Sequence, residues 1–276
     1  FSDHESRELY QVAPLSEYYG SVNWHFAMGM NNFTSYFSFD GITPAETRAF
    51  NQYTARTGTL LRVGKRDSRV AVLYPDAALW ALYTPSTEMR AVDRSQAVTT
   101  LTETFNAVSW GLIKRQVDVD FIDSRILESA VLKEGKLTWG DRAYDALILP
   151  DCTVLQDAST DKVCRLAESG FNVICCAALP EISREQGVTG DAQRNVKALA
   201  QVGTIRLQTT DDFLAYLDEG AKDLRGVRFA GVTCGDAGMI LSHRRVAADG
   251  RTVLFLTNMG DADFEAVVLN PGKDPV

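Results

Sequence analysis

The chain has 276 residues, of which 45% are hydrophobic and 23% charged, enough for one large domain or two ordinary ones around a packed core. Its formal net charge of −8 offers no basic stripe for phosphates and argues against a nucleic-acid partner. No apolar run reaches the length of a membrane span.

Residues 1–64 are rich in aromatics and Asn. Val12-Ala-Pro-Leu-Ser16 reads as a short strand ending at Glu17, and Ser21 to Met30 as a compact helix. Asn32 to Phe39 has the aromatic and Thr content of a strand and no breaker. Thr43 then caps a helix, with Pro44 at its first position and Glu46 three residues after the cap. That helix runs to about Val63, with Phe50, Tyr53, Thr57, Leu60 and Leu61 at helical spacing.

Residues 65–222 alternate strand and helix patterns. Arg69 to Pro75, Val117 to Asp123, Ala146 to Pro150 and Phe171 to Ala177 read as strands. Asp93 to Gln116, Arg125 to Leu132, Ser159 to Ser169, Ala192 to Val202 and Asp211 to Leu217 read as helices, and Glu134-Gly135 turns a small hairpin. Such alternation gives a parallel sheet covered on both faces, of flavodoxin-like or Rossmann-like character. Residues 223–276 change period. Met239 to Val246 and Thr252 to Asn258 flank the hairpin signal Ala248-Asp-Gly250, Phe264 to Asn270 adds a third strand, and together they resemble the opening of a β-sandwich.

Glu17 is the first candidate for chemistry. Barrel enzymes keep catalytic groups at the carboxyl ends of strands, and glycoside hydrolysis needs a carboxylate on each side of the scissile bond. On the residue pattern alone, a solvated loop glutamate is the commoner occupant of such a position. The following segment adds weight, because Asn23, Trp24, His25, Asn31, Asn32, Thr34 and Tyr36 combine aromatic faces with amides, as sugar sites do. Core packing of Trp24 and Phe33 and turn-capping asparagines fit the same residues. His25 fits a structural role, and His4-Glu5 lacks the second histidine of a zinc helix, so no metal site is expected. The middle region holds no glycine-rich phosphate loop and no other cofactor motif. Asp118, Asp120 and Asp123 fit a solvated strand edge better than a metal site. Cys152, Cys164, Cys175, Cys176 and Cys234 make an odd count without a Cys-x-x-Cys pair. They read as small buried hydrophobes and favour a reducing, cytoplasmic setting. No signal peptide is visible, but secretion stays open because the chain begins with Phe1 rather than Met.

Four stretches, Asn31 to Ser38, Arg48 to Arg56, Val70 to Pro75 and Leu254 to Asn258, carry a resemblance to the C-terminal part of a clan A-type glycoside hydrolase. Those enzymes have a (β/α)8 barrel, then a flavodoxin-like domain of the beta-galactosidase trimerisation or amidotransferase-like kind, then β-sandwich domains. The resemblance implies a barrel end over 1–64, the flavodoxin-like domain over 65–222 and the start of a sandwich over 223–276. Val12 to Ser16 would be barrel strand seven, Phe33 to Phe39 strand eight and Pro44 to Val63 helix eight. Glu17 would be nucleophile or base, with Tyr18, Trp24, Asn32 and Tyr36 facing a carbohydrate substrate. The general acid belongs to a strand upstream of Phe1, so this chain by itself is expected to be inactive. A homo-oligomer through the α/β domain is expected. The competing expectation is a non-catalytic oligomerisation or small-ligand-binding module. An amidotransferase-like hydrolase is disfavoured, because Pro150-Asp-Cys-Thr-Val154 lacks the glycines of a nucleophile elbow.

Overall fold

The computed structural model describes residues 14–34, 39–85, 95–188, 204–219 and 221–269. Helix α1 (Leu15–Ala27) starts directly after Pro14, whose φ of −63° and ψ of 148° suit an N-cap. Leu15, Tyr18, Val22 and Phe26 recur at the helical period and pack against Phe50 and Leu61. The strand expected over Val12–Ser16 is therefore corrected. Leu15 and Ser16 belong to the first helical turn, while Val12 and Ala13 lie outside the described residues. Glu17 sits in that same turn, where a carboxylate meets the positive end of the helix dipole. The helix expected from Ser21 starts earlier because the apolar period begins at Leu15. Residues 35–38, the middle of the expected strand over Phe33–Phe39, also lie outside the described residues.

Helix α2 (Pro44–Leu60) has the expected start. The Thr43 hydroxyl accepts from the Glu46 amide at 3.3 Å, and the Thr43 amide donates to Glu46 Oε2 at 2.8 Å. Such a cap contributes about 1 kcal/mol. The hydrogen bonds from Thr43 hold the Glu46 carboxyl below its ordinary value. A two-residue strand, β1 (Lys65–Arg66), follows Gly64.

The next stretch runs β2 (Val70–Leu73), α3 (Asp76–Leu82), α4 (Gln96–Ile113), β3 (Val119–Ile122) and α5 (Ser124–Ser129). It continues through a meander of β4 (Val131–Lys133), β5 (Lys136–Trp139) and β6 (Arg142–Tyr144) into β7 (Ala146–Pro150) and β8 (Val154–Leu155). It ends with α6 (Asp157–Glu168), β9 (Asn172–Cys176), β10 (Ile182–Ser183), β11 (Ile205–Leu207) and α7 (Thr210–Glu219). Five of these strands form one sheet in the order β3-β2-β7-β9-β11, and every pairing in it is parallel. Strands β2 and β7 are buried along their whole length, which explains their unbroken apolar sequences. Alternate residues feed two cores. Ala71, Leu73, Leu147 and Leu149 meet Val163 and Leu166 of α6 on one face. Val70, Val72, Ala146 and Ile148 meet Val108 and Leu112 of α4 and Phe213 of α7 on the other. The helix expected over Ala192–Val202 lies outside the described residues.

The chain closes with β12 (Arg228–Cys234), β13 (Ile240–Val246), β14 (Thr252–Asn258) and β15 (Glu265–Leu269). Strands β13 and β14 form the expected antiparallel hairpin. Strand β1 extends it, with Lys65 opposite Val246, and β15 pairs with β12 in a separate sheet. By contacts, the residues up to Asp67 and Phe229–Leu269 form one compact unit, and Ser68–Arg228 forms another.

Gly64 makes the β1–β13 pairing sterically feasible. Its φ is +61°, and a Cβ there would lie 2.0 Å from the Val246 carbonyl oxygen and 2.6 Å from Ala247 Cα. Gly64→Ala is expected to destabilise the chain by about 2 kcal/mol or more in urea unfolding, and an unchanged midpoint would contradict this account.

Candidate functional site

The described residues of the sequence-derived site divide between surface and core. Glu17 is exposed on the first turn of α1. Tyr18, its neighbour, turns inward and is 3% exposed. Its ring stacks on Phe39 at 5.5 Å and meets Phe50 edge-on at 6.1 Å, so it packs the core rather than an open surface. Trp24 is half-buried two helical turns beyond Glu17, with its ring 4.9 Å from that of His25. Asn32 is exposed, and its Oδ1 accepts from Arg62, which also reaches the Asn31 carbonyl. Tyr36 lies outside the described residues.

The rest of the polar-aromatic group also serves local structure. Tyr53 donates to Asn23 Oδ1 at 2.5 Å and so ties α2 to α1. His25 Nδ1 lies 2.6 Å from the Ser21 carbonyl one turn back. The spacing of Leu15, Tyr18, Val22 and Phe26 is the signal that locates Tyr18 in the core.

A second arrangement lies at the carboxyl end of the parallel sheet. The chain passes from β2 outward to β3 and returns to β7 on the other side of β2. Sheets of this kind take ligands outside the carboxyl ends of their strands at such a reversal. Asp76 follows β2, and its Oδ1 accepts from the Ser124 hydroxyl at 2.7 Å and from the Ala77 amide at 2.9 Å. Asp151 follows β7 with φ +45°, and Ala177 follows β9 with φ +64°. Burial pushes the Asp151 carboxyl up. Sequence reasoning passed over Asp76 and Asp151, although each comes within three residues of the end of a buried apolar strand.

The thiols at this end are inert. Burial pushes Cys152 well above its ordinary value, Cys175 up to about 12 and Cys176 up to about 11, so none is a thiolate near neutral pH. The alternating aspartates are structural. Asp120 accepts from the Ser68 hydroxyl at 2.9 Å and the Tyr144 hydroxyl at 3.1 Å, and Asp123 caps α5. Asp118 is buried, against the solvated edge expected of it. Among the described residues no group of three or more His, Cys, Asp or Glu could hold a metal ion.

No protein-family model matches the chain, and no curated protein matches it. Among solved structures, it is similar to the apo exo-carrageenase GH42 from Bacteroides ovatus, with a TM-score of 0.54 and 12% identity. That match covers 96% of this chain and 35% of the other, so the chain spans about a third of the length of that enzyme. Two β-galactosidases match at lower TM-scores. A catalytic mutant of Gan42B from G. stearothermophilus gives 0.36 at 13% identity, over 80% of this chain and 26% of that one. The enzyme from Rahnella sp. R3 gives 0.35 at 11% identity, over 79% and 28%. The first match shows that the chain shares the fold of part of a glycoside hydrolase.

One buried titratable group gives a test of stability. His243 on β13 is 1% exposed, and neither ring nitrogen has a hydrogen-bond partner among the described residues. Burial pushes it down to about 4, the charges of Arg66 and Arg245 add to that, and the carbonyls of Phe26 and Ala27 oppose it. A depressed histidine leaves the unfolded chain holding more protons below its ordinary value. Its contribution to stability is therefore full above about pH 6.5 and falls as pH drops toward about 4, by up to about 3 kcal/mol. His243→Leu is expected to flatten the pH dependence of urea unfolding in that window, and a parallel profile would contradict it.

Proposed function

We propose that this chain is the C-terminal portion of a glycoside hydrolase acting on a carbohydrate. The residues up to Asp67 are then the end of a (β/α)8 barrel with α2 as its last helix. Ser68–Arg228 is a flavodoxin-like domain, and β12–β15 begin a β-sandwich. The observation that carries this reading is the fold shared with the exo-carrageenase over 96% of the chain. The strand order supports the flavodoxin-like part, because in sequence terms it runs 2-1-3-4-5.

Glycoside hydrolysis divides its work between two carboxylates. The general acid would come from a barrel strand outside these residues, so the chain by itself is expected to be inactive. Glu17 is the nucleophile or base of the sequence reading, but its helical position weakens the case for it. A barrel carboxylate ends the strand that precedes a helix. Glu17 instead lies on the first turn of α1, which begins at Leu15. In the complete gene product, Glu17→Gln is expected to lower turnover by orders of magnitude without changing folding if Glu17 does the chemistry. Near-wild-type turnover there would remove the catalytic assignment.

Assembly through the α/β unit belongs to the same proposal. Its support is the edge strand β3, where Phe121 is exposed and its ring lies 5.5 Å from that of Phe105, which in turn lies 5.4 Å from Tyr74. An open strand edge beside exposed aromatic rings suits a second copy. Phe121→Asp is expected to lower the mass measured by light scattering, and a wild-type monomer would overturn the assembly.

A further inference from the structure

Trp80 lies on α3, just after β2, and is 70% exposed. The helix is firmly seated, since Ala77 and Ala78 are buried against Leu101 and Val154. Its period then turns Trp80 to the opposite, outer face, and Tyr83, one turn on, is also exposed. An indole held in water on an anchored helix offers a fixed aromatic surface.

The guanidinium of Arg184 lies 5.2 Å from the indole centroid. It comes from the turn after β10, which is rigidly built. The Arg184 amide donates to the Leu155 carbonyl at 2.9 Å, and Ser183 and Gly187 exchange two backbone hydrogen bonds at 3.1 and 2.8 Å. The neighbouring Glu185 makes no ion pair with Arg184; its Oε2 accepts from the Asp157 amide at 2.9 Å. Among the described residues Arg184 makes no ion pair. A cation and an aromatic face are thus presented together beside the carboxyl end of the sheet, the region where this kind of sheet takes ligands.

We propose that Trp80 and Arg184 form a surface site for an anionic sugar residue, which rests on the glycosidase reading for its choice of a sugar. The carboxylate or sulfate pairs with the outer N–H edge of the guanidinium, which the indole backs, and the pyranose ring packs beside it against the rim of the indole. Tyr83 extends the aromatic face toward a neighbouring sugar unit. The site is on the α/β unit and holds a saccharide chain without cleaving it.

The test is calorimetric titration of this chain with trigalacturonate, with galactose 6-sulfate and with neutral galactotriose. Heat from either charged saccharide, weaker toward about 0.5 M salt, is the expected result, and the arm that binds identifies carboxylate or sulfate. Arg184→Gln is expected to weaken that binding about tenfold or more, and Trp80→Ala to abolish it, with circular dichroism unchanged. No heat from either charged saccharide overturns the site. So does affinity for galactotriose equal to that of the charged saccharides, and so does a lower molecular mass of Trp80→Ala, which would make the patch a contact between copies. Binding is read without hydrolysis, so a chain whose complete gene product cleaves no glycoside but which binds here keeps this site and loses the glycosidase reading.

Discussion

The burial of β2 and β7 on both faces is the constraint from which the α/β unit follows. Their side chains alternate between two cores, so every position must be apolar and neither strand can shift by one residue without exchanging its two sets. Their backbone groups have no water to turn to and are satisfied by the parallel ladders on either side. That fixes which strand ends are neighbours. Asp76 and Asp151 emerge beside each other's strands for this reason, and α3, which carries Trp80, and the β8–β10 pair, which Arg184 follows, come next in the chain after those ends.

The parts of the fold legible in the sequence are those stabilised by nearby residues. Thr43, Pro44 and Glu46 make a helix start whose whole logic spans four positions, and the structure has it as read. Strands β2, β7 and β9 are largely apolar runs, and their burial is written in their composition. Helix α1 was harder, because a short apolar run before Glu17 has strand composition while the wider spacing from Leu15 to Phe26 is helical. Strands β1 and β12 carry no apolar alternation. They exist through partners far along the chain, Lys65 with Val246 and β12 with β15, and no local pattern encodes such pairing.

The candidate sites divide in the same way. A dense group of aromatics and amides near the start of the chain suggested a sugar surface, yet Tyr18 fills a core and Asn23 fastens two helices. Residue type alone does not distinguish a ring that packs from a ring that stacks on a ligand. Trp80 had the opposite fate: in Ala77-Ala-Leu-Trp-Ala-Leu82 it looks like one more apolar residue, and only the seating of Ala77 and Ala78 shows that it points outward.

The hydrogen bond from Arg245 to the Gly64 carbonyl joins residues 181 positions apart. The unit that contains it is interrupted by Ser68–Arg228, a compact body of its own. On a ribosome, the inserted body is complete before β13 has been made, while the first 67 residues wait without their sheet partners. Closing so long a loop costs only logarithmically more than a short one, and a folded insert brings its two ends to a set separation. The β1–β13 pairing therefore forms only after all of the intervening residues have been made.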